Sequence, residues 1–399
     1  MNNLNFLVDV LKDSPVFKTL EKNVKPGRTV CASGLSTINK SNIIYALCRL
    51  KGVTAFCLAS DEKEAQTLCN DLSCMGLRAY VYPVRDFNFL DFQSRSHEYE
   101  HARLKVLLKL LNHECDVAIA CVDAAAQLTV PRNVLEQSVI EFEEGRELSL
   151  EKATKALTLL GYERFDAVEG SGQFSLRGGI LDFFMPDSDY PVRCEFWGDE
   201  ITDLSYFDIE TQRRFKKADK ITLSPSTEIV IEDRAALADK IEHKAKLLRS
   251  KNSAKAKEKL FSEAELIRSG AMIANADKFI NQIYDKPESL FDYLDRNTLV
   301  FASEFTAIQE RGKSMDFISN ETLMQGFEDG TLCRGFDRFA LTFNECTEFL
   351  QSHGTIVLEN FVHGSMPIKL SEIISFSTKQ LSAWGGSYKQ LKEDVDGLF

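Results

Sequence analysis

Between residues 28 and 121 short β-branched runs alternate with helical patterns, and this rhythm constrains the fold more than any other feature of the chain. RTVCASG, TAFCLAS, RAYVYP and DVAIAC read as strands, with helical patterns near 40–50, 61–75 and 97–112 between them. Strands separated by helices build βαβ units and a parallel sheet. After Pro131 the rhythm stops. One helical pattern, Leu150–Leu160, is followed by a run of alternating strands. Beyond about residue 225 a long Ala/Lys/Glu-rich helix is expected over Asp233–Lys259, after which NTLVFASE, FALTFNE and GTIVLEN read as strands again. The expected fold class is α/β, a parallel-sheet domain interrupted by a small β-rich insertion.

At 399 residues the chain has material for two or three domains with buried cores. No apolar run reaches the length of a membrane span, and the N-terminus MNNLNFLVDVLKDS carries acids and lacks the design of a signal peptide. The ten cysteines are scattered through apolar stretches with no CxxC pair, which reads as free buried thiols in a reducing cytoplasm. A formal charge of −12 argues against strong nonspecific affinity for nucleic acid, although it leaves room for a local basic patch.

Residues 172–214 alternate apolar and polar side chains at a period of two, through GQFSLRG and again through PVRCEFWG. That is the pattern of half-buried strands. Gly178-Gly179 and the Pro186–Pro191 stretch supply turns. With Phe174 and Leu176 facing the core, Ser175 and Arg177 turn the other way. In the next strand Cys194 and Phe196 share one face, while Arg193, Glu195 and Trp197 share the other. One face thus combines two arginines, a glutamate and a large aromatic, a composition typical of a protein–protein hot spot. A solvated sheet face with incidental charges would carry the same residues, and the alternation does not separate the two readings.

The whole string resembles the signature of the small inserted domain shared by UvrB and the transcription-repair coupling factors. In that family the pattern runs G-E-F-x-x-R-G-x-x-x-D-x-F-P, then R-x-E-F-F-G-D-E-I, then F-D-x-x-T-Q-R. Here GQFSLRGGILDFFMP, RCEFWGDEI and FDIETQR follow in the same order at matching spacing. The resemblance covers the chain from about residue 25 to the end. It implies an α/β domain of the helicase-lobe (P-loop NTPase) type over residues 1–127 and 223–362, a UvrA-binding-type insertion over 128–222, and the start of a following domain over 363–399. The run WGGSYKQLKEDVDGLF breaks off in a helical pattern with no terminator, so a continuation is expected there.

The resemblance also implies a partner. The inserted domain would dock onto the damage-recognition ATPase UvrA and so recruit nucleotide excision repair to stalled RNA polymerase. Arg177 matches the arginine of F-x-x-R-G, Arg193 and Glu195 match R-x-E, and Trp197 takes the second aromatic of E-F-F-G. Arg164, in GYERFD, matches a UvrB arginine at the same spacing, whereas Ser175 stands where UvrB has arginine. Contacts to RNA polymerase and DNA, and an ATP-driven translocase using ATP and magnesium, would belong to domains beyond this stretch. A UvrB-type excinuclease subunit is the alternative within the family. It needs an intact phosphate loop and a long aromatic-rich hairpin after the first strands, neither of which is legible here.

Three further constellations bear on chemistry. GLSTINKS, Gly34 to Ser41, follows a strand and precedes a helical pattern, as a phosphate-binding loop G-x-x-x-x-G-K-[ST] does. Lys40 and Ser41 are present, but Asn39 replaces the second glycine, whose freedom lets the backbone wrap the phosphates. Ser303-Glu304 stands where ATP-using relatives carry Asp-Glu to anchor magnesium. Both changes point to an inert nucleotide fold kept as scaffold, with weak ATP binding as the alternative, and no cofactor is expected in this stretch. His97-Glu98-Tyr99-Glu100-His101 is a formal H-E-x-x-H, in which Glu98 would serve as base for zinc-bound water. No third ligand motif supports it beyond His113 or Glu114, and His243, His353 and His363 form no ligand set; no metal is expected, and a zinc hydrolase is the remote alternative. The basic run 240–259 reads as a nucleic-acid or acidic-partner site, or as the solvated face of a helix without interleaved aromatics.

Overall fold

The structure, a computed structural model, describes residues 5–85, 97–137, 140–249, 253–271, 276–361, 366–378 and 386–397. Its centre is a seven-stranded parallel sheet. The first four strands are β1 (Val30–Ser33), β2 (Ala55–Ala59), β3 (Ala79–Val81) and β4 (Val117–Cys121). The chain then enters the insertion on β5 (Ile140–Glu143) and passes through a second sheet. This comprises β6 (Glu163–Arg164), β7 (Gln173–Arg177), β8 (Ile180–Phe183), β9 (Val192–Trp197), β10 (Glu200–Phe207) and β11 (Arg214–Lys217). It leaves on β12 (Lys220–Leu223), which pairs antiparallel with β5, so that the insertion is closed by its own entry and exit strands. Strands β13 (Leu299–Ser303), β14 (Thr355–Leu358) and β15 (Glu372–Ser375) return to the first sheet, whose order is β15-β1-β14-β13-β2-β4-β3.

The chemistry of the strands explains this layering. In β2 and β4 every residue is buried, as expected of parallel strands covered by helices on both faces. Phe56, Leu58, Ala118, Ala120, Val300 and Ala302 pack into one core, while Ala55, Cys57, Ala59, Val117, Ile119 and Phe301 pack into the other. A third core belongs to the insertion and is filled by Phe142, Phe174, Leu181, Phe183, Cys194, Phe196 and Leu204 among others. The exposed edge strand β11 reads RFKK, and charged side chains of this kind keep an edge from pairing with other chains.

Three expectations change. FALTFNE forms no strand: Ala340 makes an isolated bridge to Gln127, and Phe343–His353 is a helix. Its start is a capping box in which Thr342 and Glu345 satisfy each other's backbone N–H groups. The expected helix over Asp233–Lys259 is two helices, Arg234–Leu247 and Ser253–Arg268. They pack antiparallel, Arg268 reaching back to Asp239 and Glu242 at 2.9 and 2.7 Å. Leu237, Ile241, Leu260, Ala264 and Ile267 bury together between them, a gain that one continuous helix could not make. Residues 372–375, assigned from sequence to a following domain, form β15 on the edge of the first sheet beside β1. The histidine at 363 lies outside the described residues.

A buried ionic cluster joins the insertion's exit segment to the α/β domain. Arg103, on the helix Glu98–Leu111, is fully buried, and its Nε lies 2.6 Å from Glu228 Oε1. Its Nη1 donates to Gln127 Oε1 at 2.8 Å and to the Pro83 carbonyl at 3.1 Å, and its guanidinium lies over the Tyr82 ring. Arg85 stands 3.6 Å from Glu228 and 3.1 Å from Asp277. Glu100 accepts from the Glu228 N–H at 2.8 Å and from the Thr227 hydroxyl at 2.9 Å. Burying such charges is tolerable only because they are paired and hydrogen-bonded.

Candidate interaction face and the occupied nucleotide loop

The strand register follows from the Gly178-Gly179 turn. Gly178 is left-handed at φ +63°, and a Cβ on Gly179 would come within 2.7 Å of the Phe196 carbonyl oxygen. The tight turn sets Arg177 opposite Ile180 and Ser175 opposite Asp182, and β8 in turn sets Asp182 opposite Arg193. Phe196 is 8% exposed and its neighbour Trp197 is 82% exposed. The phase of the alternation is therefore as read from the sequence, with Phe174, Cys194 and Phe196 inward and Arg177, Arg193, Glu195 and Trp197 outward. Ser175 faces outward too, yet is buried, its hydroxyl donating to the Asp166 carbonyl at 2.9 Å.

The outward residues differ sharply in what they leave for a partner. Asp182 is buried and accepts from both arginines: from Arg193 Nε and Nη2 at 2.8 Å each, and from Arg177 Nη2 at 2.8 Å. Arg193 also donates to the Gln212 carbonyl at 3.2 Å and to Gln212 Oε1 at 3.1 Å, and its guanidinium lies 4.4 Å from the Phe207 ring centroid. Its side chain is 13% exposed. Little of it is left to touch another protein. The Arg177 side chain, by contrast, is half exposed. Glu195 pairs with Arg214, which also reaches Asp203 at 2.9 Å. Arg164 is exposed on the sheet edge in register with Phe174, which gives it the opposite parity from Arg177. The structure thus gathers Arg177, Arg193, Glu195 and Trp197 on one face and leaves Arg164 apart.

Asp182, Gln212 and Arg214 escaped the reading of the sequence. A signal existed for the first: a two-residue glycine turn forces 175 against 182, so an aspartate at an outward position there must meet the arginines beside it. Gln212 is the glutamine of the F-D-x-x-T-Q-R motif, but nothing in that motif says that it turns back onto Arg193 from beyond β10.

At the loop resembling a phosphate site, the lysine and the first two backbone amides are already engaged. Gly34 is left-handed at φ +79°, and a Cβ there would collide with the Phe376 carbonyl oxygen. The N–H groups of Gly34 and Leu35 donate to the carbonyls of Asn360 and Glu359 at 3.1 and 3.0 Å. The helix Thr37–Lys51 begins before Asn39, so Asn39 is helical, and the Lys40 N–H donates to the Ser36 carbonyl at 3.0 Å. The buried Lys40 Nζ lies 2.5 Å from Glu304 Oε1, 3.0 Å from Ser303 Oγ and 3.5 Å from Glu64 Oε1. Ser41 donates its hydroxyl to Asp71 at 2.9 Å. Burial, reinforced by the charge of Glu304, raises the Glu359 carboxyl to about 7.

The H-E-x-x-H residues have structural work. His97 and His101 stack with ring centroids 5.8 Å apart, and His97 Nδ1 lies 2.9 Å from Glu100. A Cβ on Gly172 would press to 2.6 Å from His101 Cε1, so the imidazole packs directly against the insertion. Burial works to raise the Glu100 carboxyl, but the His97 hydrogen bond and the Arg85 charge outweigh it and hold it well below the usual range. Among the described residues no group of three His, Cys, Asp or Glu side chains is placed to hold a metal ion. Among them, too, no helix is long and apolar enough to cross a membrane.

Residues 140–229 match the UvrB interaction domain family. The chain is 26% identical to the transcription-repair-coupling factor of Bacillus subtilis over 97% of its own length and 34% of that protein. It is 25% identical to the one of Staphylococcus epidermidis over 79% of the chain and 27% of the relative. For the Staphylococcus aureus protein (strain USA300) the figures are 21%, 98% and 34%. The chain spans about a third of the length of the curated relatives it matches. The resemblance read from the signature, to the UvrB-like N-terminal region of transcription-repair coupling factors, therefore extends over nearly the whole chain.

Proposed function

We propose that this chain is the UvrB-homology module of a transcription-repair coupling factor, a non-catalytic scaffold that binds UvrA and brings nucleotide excision repair to stalled RNA polymerase. The observation that carries the reading is the outer face of the inserted sheet, where the exposed Trp197 stands on the same face as the half-exposed Arg177 and the Glu195–Arg214 pair. A projecting aromatic surrounded by oriented arginine and carboxylate groups is the composition from which interface hot spots are made. Arg177, Trp197 and Glu195 are the direct contacts in this reading, with Arg193 behind them and Arg164 at the sheet edge.

The scaffold role is supported by the filled loop. A phosphate would need the lysine, which Glu304, Ser303 and Glu64 already hold, and it would meet Gly34 and Leu35 amides already bonded to the Asn360 and Glu359 carbonyls. In the full protein, ATP-driven translocation on DNA and contact with the polymerase belong to other regions, and the protein works in the cytoplasm. The test is direct binding of purified UvrA. The parent chain should bind, and Trp197→Ala and Arg177→Ala should each lose about thirtyfold or more, as hot-spot truncations do. Binding of both variants at parental affinity would remove the proposal.

A further inference from the structure

Resting on that reading of the outer face, we infer that Asp182 is a positioning residue for the docking surface and that, with Gln212, it makes Arg193 an internal strut and not a contact. Arg193 has every nitrogen engaged: Nε and Nη2 on Asp182, Nη1 and Nη2 on Gln212. Phe207 supports its flat face. Gln212 is held in place from its own turn. Its backbone is left-handed at φ +57°, its N–H donates to the Asp208 carbonyl at 2.8 Å, and its side-chain amide donates to the Ile209 carbonyl at 2.9 Å. A non-glycine residue in that conformation is uncommon and persists where its surroundings over-determine it. Arg193 therefore ties the 208–213 turn to the middle of the sheet, and the turn leads directly into Arg214, the partner of Glu195.

Asp182 acts on Arg177 in the same way. It takes Nη2 at 2.8 Å, while Nε and Nη1 have no intramolecular acceptor among the described residues. A long side chain that must be ordered on binding loses about threefold to tenfold in affinity; Arg177 is ordered beforehand. One carboxylate between two guanidiniums also leaves the cluster with one net positive charge. The chemistry that fits it is a carboxylate on the partner, which a planar guanidinium recognises with geometric selectivity.

UvrA binding of the whole chain tests this, using Asp182→Asn, Arg177→Ala, the double variant and Trp197→Ala. Asp182→Asn should lower affinity about tenfold, within the coupling seen for neighbours in one ion-pair network. In the Arg177→Ala background the same change should add about twofold at most, because its effect runs chiefly through Arg177. Parental binding by Asp182→Asn, or effects that simply multiply in the double variant, would overturn the inference while a weakened Trp197→Ala leaves the docking reading standing. If Trp197→Ala and Arg177→Ala both bind as the parent does, the docking reading itself fails. Should Asp182→Asn not fold, hydrogen exchange at arginine Nε in the parent decides. The Arg193 Nε–H should exchange far more slowly than that of the exposed Arg213, and equal exchange would refute the strut.

Discussion

Phe196 and Trp197 are neighbours whose truncation should have opposite consequences, and the pair tests the sheet register more severely than either alone. Phe196 is 8% exposed in the insertion core. Replacing it with alanine forfeits the transfer of a large apolar side chain, about 1.5–3 kcal/mol. The cavity left behind raises the total for Phe→Ala to about 3–5 kcal/mol. Because Phe196 lies near the end of β9, the lower figure, about 3 kcal/mol, is expected. For a domain of this size each kcal/mol moves the midpoint by about 4–8 °C, so the insertion should melt about 12–24 °C earlier. Trp197→Ala removes a side chain that is 82% exposed and should leave stability within about 0.5 kcal/mol of the parent. Its effect should appear in UvrA binding. Thermal and urea unfolding followed by circular dichroism measure the first quantity, and calorimetric titration measures the second. Acrylamide quenching of Trp197 in a Trp384→Phe background checks exposure independently. If Trp197→Ala destabilises by about 3 kcal/mol and Phe196→Ala does not, the strand is one residue out of register and the proposed face is the wrong one.

Three other outcomes are expected. ATP with magnesium should neither be hydrolysed above background nor raise the melting temperature, since a ligand that bound the folded chain would stabilise it; turnover or a shift abolished by Lys40→Ala would refute the filled loop. Arg103→Ala takes the closest partner from the buried Glu228 carboxylate, leaving it Arg85 at 3.6 Å and the Thr129 hydroxyl at 2.9 Å. It should cost about 3 kcal/mol in urea unfolding, the low end for a broken buried pair, whereas replacing Arg103 and Glu228 together with apolar residues of similar volume should recover much of it. Glu359 has its folded pKa raised to about 7 from 4.5. Well below pH 4.5 both states hold the proton and nothing is lost; as pH rises the unfolded chain releases its proton first, and stability falls until the folded carboxyl has also ionised, above about pH 7. Glu359→Gln should therefore stabilise the chain at pH 8 and come close to it at the acid end of the range, about one unit below the unfolded carboxyl's pKa, and equal differences at both ends would exclude the effect.

The alternation of strands and helices over residues 28–121 determined the parallel sheet, because each run encodes its own period and βαβ connections admit few arrangements. The phase of the second sheet was equally legible: a period of two with a Gly-Gly turn has one register that buries Phe174, Cys194 and Phe196. Thr342 and Glu345 could have been read as a helix start, and the apolar run FALTF concealed them. Tertiary structure alone decided the rest. Whether Arg193 faces a partner or a neighbour depends on Asp182 and Gln212, which reach it across strand pairs and turns. Lys40 is neutralised by Glu64 and Glu304, the latter 264 residues away. The insertion is held to its host by Arg103 and Glu228, 125 residues apart. Hydrophobic periodicity is written among near neighbours, whereas the pairing and desolvation of a charge depend on whatever the finished fold brings beside it.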